Sequence, residues 1–189
     1  MSVNQGAGAI MFDCFTIEQV KEINKVIRKN ISQNPPRPNQ QEDVSSSAKN
    51  LNKIGKFSYV DCGPLMELLH PWLYKCQLVN RNYYSYDINW DFHIEVLCYN
   101  LYGIGGKYEW HIDSNSTEGP SPKLTCLLNL SEEPYEGGDL HIVGKNEKQK
   151  FNSSGSSIVF TSLLSHKVTP VTKGERITLT YWGEGPAWR

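Results

Sequence analysis

The spacing of hydrophobic residues changes along the chain, from a helical period in the first half to strand-like alternation in the second. Apolar residues recur every three or four positions over Phe15–Asn30 and Gly63–Val79, which predicts two amphipathic helices. Thr16 and Gln19 have the spacing of a capping box, so the first helix is predicted to begin there. Residues 32–50 hold three prolines, a serine triplet and almost no large apolar residue. They are predicted to form a mobile surface loop, either a lid over a site or a spacer without a role.

From residue 92 onwards the sequence consists of short segments that are rich in β-branched and aromatic residues and bounded by turn residues, as strands are. The predicted strands are Phe92–Leu101, Tyr108–Asp113, Lys123–Leu130, Asp139–Val143, Ser157–Thr161, His166–Val171 and Glu175–Trp182. Successive strands without helices between them are typical of an all-β sandwich or barrel. The sequence therefore predicts a mainly β fold with supporting α-helices in a single domain, in which residues 1–91 supply the helices and loop and residues 92–183 form the β core.

Composition and charge are those of an ordinary globular domain. The chain has 189 residues, of which 39% are hydrophobic, and a formal net charge of −1. This balance gives no electrostatic indication of a nucleic-acid partner. The sequence has no apolar run near the roughly 18 residues of a membrane helix, and its N-terminus lacks the pattern of a signal peptide. We expect a cytoplasmic protein that binds neither membrane nor nucleic acid, and whose five scattered cysteines are reduced.

Two histidines and one aspartate have the arrangement of a metal site. His111 and Asp113 lie at positions i and i+2 of one predicted strand, so their side chains project from the same face. His166 begins a later predicted strand and can supply a third ligand. Two imidazoles and one carboxylate form the facial triad of non-haem Fe(II) sites, which leaves positions open for substrate and O₂.

The remaining histidines offer weaker alternatives. His93 and Glu95 repeat the same spacing in another predicted strand, so they form a rival pair for the ion. His70 and His141 are interpreted as structural residues.

Arg176 adds a second chemical feature. It follows His166 by ten residues and shares one face of the last predicted strand with Thr178, Thr180 and Trp182. An arginine that points into a barrel needs an anion, and its planar guanidinium matches a carboxylate. A 2-oxo dicarboxylic acid that chelates the metal at one end would reach Arg176 with the other. The alternative is an arginine at the surface or in a structural ion pair.

Three segments of the chain resemble a known family. The run YGIGGKYEWHID at 102–113 is similar to Y-x-x-G-x-x-Y-x-x-H-x-D. Leu128–Leu140 resembles a strand followed by an EGG-x-L turn, and His166–Arg176 resembles H-x-V-x-P-V-x-x-G-x-R. Together these patterns, over residues 92–183, resemble the 2-oxoglutarate/Fe(II)-dependent dioxygenase superfamily, and within it the prolyl 4-hydroxylase-like branch.

The resemblance implies a double-stranded β-helix, also called a jelly roll or cupin-like barrel, with the metal at one end. It implies that His111, Asp113 and His166 are the catalytic metal ligands for Fe(II). The reaction would be hydroxylation of an unactivated C–H bond with O₂ and 2-oxoglutarate, with release of succinate and CO₂ and with ascorbate as reductant. The carboxylate of Asp113 favours hydroxylation over halogenation, because related halogenases lack it.

The resemblance also assigns the co-substrate's far carboxylate to Arg176. Collagen-type enzymes of the branch have lysine at this position, and oxygen-sensing ones have a tyrosine near Asn129 that helps to hold 2-oxoglutarate. The second partner of the carboxylate is therefore open in this chain. The candidates are Tyr102, with Tyr99 as its rival, Asn129 and Thr178.

Substrate identity is the least determined feature of the sequence. Tyr108 and Trp182 are candidates for stacking on a substrate, and Trp110 is a weaker one. The branch favours a prolyl residue in a peptide or protein. The alternatives are a free amino acid, a small metabolite or a nucleobase as substrate, a non-catalytic cupin-like module that binds metal or 2-oxoglutarate, and a Zn²⁺ or Mn²⁺ enzyme of another reaction type.

Overall fold

The computed structural model describes residues 4–6, 8–33, 35, 41–44, 52–90, 96–114, 120–144, 148–149 and 151–188. Its helices are α1 (Ile17–Gln33) and α2 (Met66–Val79), with a 3₁₀ turn at Gly63–Leu65 and a π-helical turn at Asn80–Tyr84. Its strands are β1 (Asn4–Gly6), β2 (Ala9–Asp13), β3 (Gln41–Val44), β4 (Lys53–Asp61), β5 (Val96–Tyr102), β6 (Lys107–His111), β7 (Ser121–Asn129), β8 (Glu136–Gly137), β9 (Leu140–Ile142), β10 (Ser156–Thr161), β11 (His166–Val168), β12 (Val171–Lys173) and β13 (Arg176–Gly185).

The strands form one curled antiparallel sheet. Ten of them lie in the order β1-β2-β10-β7-β13-β5-β4-β6-β11-β9, β3 pairs with β4, and β8 and β12 form a separate pair. Strand β4 joins two parts of this sheet. The larger part contains β1, β2, β10, β7, β13, β5 and β3, and residues 56–61 of β4 pair there with β5. The smaller part contains β6, β11 and β9, and Lys53 and Ile54 of β4 pair there with β6. Gly55 lies between these segments with φ +155°, and a Cβ there would come within 2.9 Å of the Leu101 carbonyl oxygen. Strand β4 therefore changes its pairing partner at a residue where a side chain would not fit.

Helices α1 and α2 cover one face of the larger part of the sheet. The residues that they bury alternate along each strand, as Leu124, Cys126 and Leu128 do on β7. At the centre, the buried indole of Trp72 on α2 donates a hydrogen bond of 2.8 Å to the hydroxyl of Ser157 on β10. The opposite face of the sheet is thereby left to line a cavity.

A buried asparagine fixes α1 to the sheet. The amide nitrogen of Asn24 donates to the Leu130 carbonyl at 2.8 Å and to Glu132 at 2.9 Å, and its oxygen accepts a hydrogen bond from the Tyr99 hydroxyl at 3.0 Å. The side-chain amide thus has partners for its polar groups, which makes its complete burial tolerable.

The predicted fold class is confirmed, because the chain is mainly β with supporting helices and its strands curl into a half-barrel. Both predicted helices are present, and Thr16 and Gln19 form the predicted capping box through reciprocal hydrogen bonds of 3.0 and 3.4 Å. Each predicted strand region contains a strand, although residues 92–95 lie outside the described residues. The segment His166–Val171 is divided into β11 and β12 at Thr169 and Pro170.

The N-terminal half contains strands that sequence analysis did not find. Within the stretch predicted as a mobile loop, residues 41–44 form β3, whereas residues 34, 36–40 and 45–50 lie outside the described residues. Strand β4 was missed because its sequence, KIGKFSYVD, interrupts the apolar alternation with lysines and a glycine. Its pairing with β3, β5 and β6 establishes it as a strand. Among the described residues, no helix has the length and apolar character needed to span a membrane.

The helical side of the core predicts a large difference between two positions on α2. Leu69 is fully buried, whereas Tyr74 is 51% exposed. We expect Leu69→Ala to lower the free energy of unfolding by about 2–5 kcal/mol, through lost burial and the cavity that remains. Tyr74→Ala should change it by about 0.5 kcal/mol. Urea denaturation of both variants checks this, and equal losses would show that α2 does not pack as described.

Candidate active site

The predicted metal ligands come together at one end of the cavity. His111 ends β6, Asp113 follows two residues later, and His166 begins β11 directly opposite His111 in the antiparallel register. The distance from His111 Nε2 to Asp113 Oδ1 is 3.5 Å, and that from His166 Nε2 to Asp113 Oδ2 is 3.6 Å. Their ligand atoms all lie within 4.8 Å of one another, and among the described residues only these three form such a group.

Both imidazoles present the same nitrogen to this point. The Nδ1 atom of His111 lies 2.7 Å from the Glu109 carbonyl oxygen, and that of His166 lies 2.9 Å from the Leu164 carbonyl oxygen. Because a carbonyl only accepts, each Nδ1 carries the proton and each Nε2 presents a lone pair towards Asp113. Burial lowers the pKa of His111, and the neighbouring His166 lowers it further. Both effects favour the neutral imidazole, which is the form that binds a metal ion.

Aromatic rings hold the two imidazoles in place. Tyr108 stacks on His111 with ring centroids 3.6 Å apart, and Phe160 packs edge-on against His166 at 4.9 Å. Tyr108, which sequence analysis assigned to substrate, therefore contacts a metal ligand as well as lining the cavity. Trp110 is 42% exposed and lies beneath Lys167 on the outside of the barrel.

Arg176 enters the same cavity from β13 and is only 1% exposed. One terminal nitrogen lies 3.5 Å from the Thr178 hydroxyl, and Nε has no hydrogen-bond partner among the described residues. No ion pair between described residues includes Arg176. Gly138, at φ +61°, leaves room for its side chain, since a Cβ there would lie 2.9 Å from Arg176 Cδ. The EGG turn thus accommodates a buried cation for which the described residues supply no anionic partner.

The predicted faces of β13 agree with the structure. Arg176, Thr178, Thr180 and Trp182 line the cavity, whereas the alternate residues of the strand lie in the helical core. The ring centroids of Trp182 and Tyr59 are 6.3 Å apart. The buried indole nitrogen of Trp182 has no hydrogen-bond partner among the described residues.

Two of the three candidate partners for the far carboxylate of the co-substrate lie beside Arg176. Tyr102 pairs with Arg176 across β5 and β13, and its ring centroid is 5.2 Å from the guanidinium carbon. Thr178 also lines the cavity, but Asn129 does not. The amide nitrogen of Asn129 is hydrogen-bonded to the Tyr135 hydroxyl and the Phe151 carbonyl. Asn129 bonds within the turn after β7, and its assignment to the far carboxylate stays a prediction.

The remaining alternatives from sequence analysis lie elsewhere. His70 is exposed on α2 and stacks on Tyr74, and His141 on β9 does not line the cavity. His93 and Glu95 lie outside the described residues. Tyr99, the rival of Tyr102, points towards α1 and bonds Asn24.

Sequence analysis missed several residues of the cavity wall. Asn100 on β5 donates to the hydroxyls of Thr180 at 2.8 Å and Thr178 at 3.3 Å. Its place two residues before Tyr102 on a predicted strand was an available signal. Lys53 and Tyr59 come from β4, which was not predicted as a strand, so no sequence signal placed them here.

Comparisons with known proteins agree with this arrangement. Residues 94–184 match the model of the 2OG-Fe(II) oxygenase superfamily. A PKHD-type hydroxylase of Alteromonas mediterranea is 37% identical over 93 residues, which cover 45% of this chain and 41% of the relative. The chain therefore matches about two fifths of the length of that relative.

Two solved structures share the fold over most of the chain. A Pseudomonas putida prolyl-4-hydroxylase superposes with a TM-score of 0.69 at 18% identity, covering 93% of this chain and 91% of its own. A Trichoplax adhaerens prolyl hydroxylase, solved with a hypoxia inducible factor oxygen degradation domain peptide fragment, has a TM-score of 0.66 at 17% identity, covering 93% and 84%. The chain is therefore similar in sequence to the 2OG-Fe(II) oxygenase superfamily over residues 94–184, and it shares its fold with these prolyl hydroxylases.

Proposed function

We propose that this chain is an Fe(II)/2-oxoglutarate-dependent dioxygenase that hydroxylates an unactivated C–H bond of a prolyl residue in a peptide or protein, with release of succinate and CO₂. The observation that carries the proposal is a single cavity with two chemical features. It is lined by the His-Asp-His group and by a buried arginine whose Nε lacks a partner among the described residues.

The donor set fits ferrous iron. His111, Asp113 and His166 offer two imidazole nitrogens and one carboxylate, the set that leaves coordination positions open for a co-substrate and O₂. When bound, Fe(II) supplies the oxidative chemistry of the family, in which one atom of O₂ enters the substrate C–H bond and the other enters succinate as 2-oxoglutarate loses CO₂. The protein's part is to orient the two histidines through the carbonyl oxygens of Glu109 and Leu164, and to lower the pKa of His111 by burial, which favours its neutral form.

The surroundings of Arg176 fit the far carboxylate of 2-oxoglutarate. A buried guanidinium without an anion carries a large desolvation cost, which a bidentate carboxylate would offset. Thr178 lies within hydrogen-bond distance of Arg176, and Tyr102 lies beside it. Burial raises the pKa of Tyr102, so its hydroxyl stays protonated at neutral pH and can donate a hydrogen bond. We assign Arg176, Tyr102 and Thr178 to the co-substrate.

The aromatic residues of the cavity favour a prolyl substrate. Tyr59, Tyr108 and Trp182 offer flat surfaces on which a pyrrolidine ring can stack. The indole N–H of Trp182, which has no acceptor among the described residues, can donate to a peptide carbonyl oxygen of the substrate. The known proteins support a prolyl substrate in a peptide. The sequence relative is named a PKHD-type hydroxylase, and one of the structures with the same fold is a prolyl hydroxylase that was solved with a peptide fragment.

The metal ligands give the first test of the proposal. We expect Asp113→Ala and His166→Ala to abolish Fe(II)-dependent release of succinate from 2-oxoglutarate, because each removes one of three ligands. His141→Ala is the matched control, since this histidine lies outside the cavity, and it should retain wild-type turnover. Normal 2-oxoglutarate consumption by either ligand variant would contradict the assignment.

Arg176 gives a test that is independent of turnover. Loss of a charge-assisted hydrogen bond costs about 1.5–3 kcal/mol, so Arg176→Met should weaken 2-oxoglutarate binding by roughly 10- to 150-fold. Isothermal titration of the anaerobic Fe(II) protein measures this. Lys173→Met provides the control, because Lys173 is an exposed residue that pairs with Glu136. If Arg176→Met bound 2-oxoglutarate with wild-type affinity, the assignment of Arg176 to the far carboxylate would be rejected.

The substrate class is tested at Trp182. Trp182→Phe keeps an aromatic ring and removes the N–H, so we expect the KM for a proline-containing peptide to rise by about tenfold, the equivalent of one hydrogen bond. Trp110→Phe, on the outside of the barrel, should leave KM unchanged. The assay is succinate release with Fe(II), ascorbate and 2-oxoglutarate. Stimulation by free amino acids and by none of the peptides would instead favour a small-molecule substrate.

A further inference from the structure

The carboxylate of Asp113 is held by a pair of fully buried hydroxyl groups. The hydroxyl of Thr125, on β7, lies 2.5 Å from Asp113 Oδ2 and 3.0 Å from the hydroxyl of Ser162, which follows β10. Both Thr125 and Ser162 are 0% exposed. Neither residue is a metal ligand, and sequence analysis singled out neither.

The direction of these hydrogen bonds follows from the chemistry of the groups. An ionised carboxylate only accepts, so the single proton of Thr125 is donated to Asp113. The Ser162 hydroxyl must then be the donor to the oxygen of Thr125. The result is a chain from Ser162 through Thr125 to Asp113, in which each bond polarises and strengthens the next.

Ser162 also holds the backbone on which Asp113 lies. Strand β6 ends at His111, so Asp113 and Ser114 are beyond its regular pairing. The backbone amides of Asp113 and Ser114 both donate to the Ser162 carbonyl oxygen, at 3.1 and 3.2 Å. The main chain and the side chain of Asp113 therefore depend on the same buried residue.

The same turn orients another ligand. Residues 162–165 connect β10 to β11, which begins with His166. Within this turn, the Leu164 carbonyl accepts the hydrogen bond from His166 Nδ1 at 2.9 Å, and the Leu164 amide is held by the Thr161 carbonyl at 3.0 Å. One turn thus carries the contacts that orient Asp113 and His166 towards each other.

From this geometry we infer that Thr125 and Ser162 are positioning residues of the metal centre. They fix the rotation of the Asp113 carboxylate and leave its remaining lone pairs directed at the ion. Groups that orient metal ligands in this way typically change metal affinity by 10- to 100-fold when removed. The inference rests on the proposed metal site and adds to it the two residues that determine its geometry.

Binding of Co(II), a spectroscopic probe for the triad, tests the inference without turnover. Thr125→Val preserves the shape of the side chain and removes the donor. We expect it to weaken Co(II) binding by about 10- to 100-fold and to shift the visible absorption bands that report ligand geometry. Thr125→Ser retains the hydroxyl and should restore both the affinity and the spectrum, which a purely structural role for Thr125 would not require.

Two buried serines provide a matched comparison. Ser162→Ala removes the donor to Thr125 and should weaken Co(II) binding. Ser157→Ala removes an equally buried hydroxyl on β10 that bonds Leu127 and Trp72 and does not contact the metal ligands. It should lower the free energy of unfolding and leave Co(II) affinity and the spectrum unchanged.

The outcomes separate this inference from the proposed function. Wild-type Co(II) affinity and spectrum in Thr125→Val would overturn the inference. If Thr125→Val does not fold, wild-type Co(II) binding by Ser162→Ala, or an equal loss in Ser157→Ala, would overturn it instead. If the wild-type protein and His166→Ala bound Co(II) equally, the metal site itself would be rejected, and with it the proposed function.

Discussion

The antiparallel pairing of β6 with β11 is the constraint on which the site depends. It places His111 directly opposite His166 and brings Asp113 to both imidazoles. This pairing belongs to the smaller part of the sheet, which is joined to the larger part by β4, because β4 pairs with β6 before Gly55 and with β5 after it. Backbone hydrogen bonds therefore bring His166 to His111 and Asp113, from which it is distant in the sequence.

The two faces of the larger part of the sheet differ in polarity. One face packs against α1 and α2 and is almost entirely apolar, whereas the other carries buried hydroxyls, amides and Arg176. Burial of these polar groups is costly unless they have partners. Most of them bond one another, as Asn100 does with Thr178 and Thr180. Among the described residues, Arg176 Nε and the indole nitrogen of Trp182 have no hydrogen-bond partner on this face, and a carboxylate ligand would bond the guanidinium. The face that packs against α1 and α2 thus supplies the hydrophobic core, and the opposite face supplies the polar residues of the candidate site.

The sequence predicted well those features that depend on local spacing. The capping box at Thr16 and Gln19, the alternation of β13 and the spacing of His111 and Asp113 depend on the geometry of a single helix or strand. It failed for β4, because a strand with two lysines and a glycine among its first four residues is specified by its neighbours and not by its own residues. The resemblance made Asn129 a candidate for the co-substrate, and its amide is hydrogen-bonded to Tyr135 and Phe151.

The sequence by itself determined which residues have the chemistry of an Fe(II) and 2-oxoglutarate site, because ligand types and the period of a strand can be read from short segments. Only the tertiary structure decided which groups orient those ligands. Thr125 approaches Asp113 from β7, and Ser162 approaches Thr125 from the turn after β10. Such contacts depend on strand register and on the curl of the sheet, and these are set by long-range pairing that no local pattern encodes.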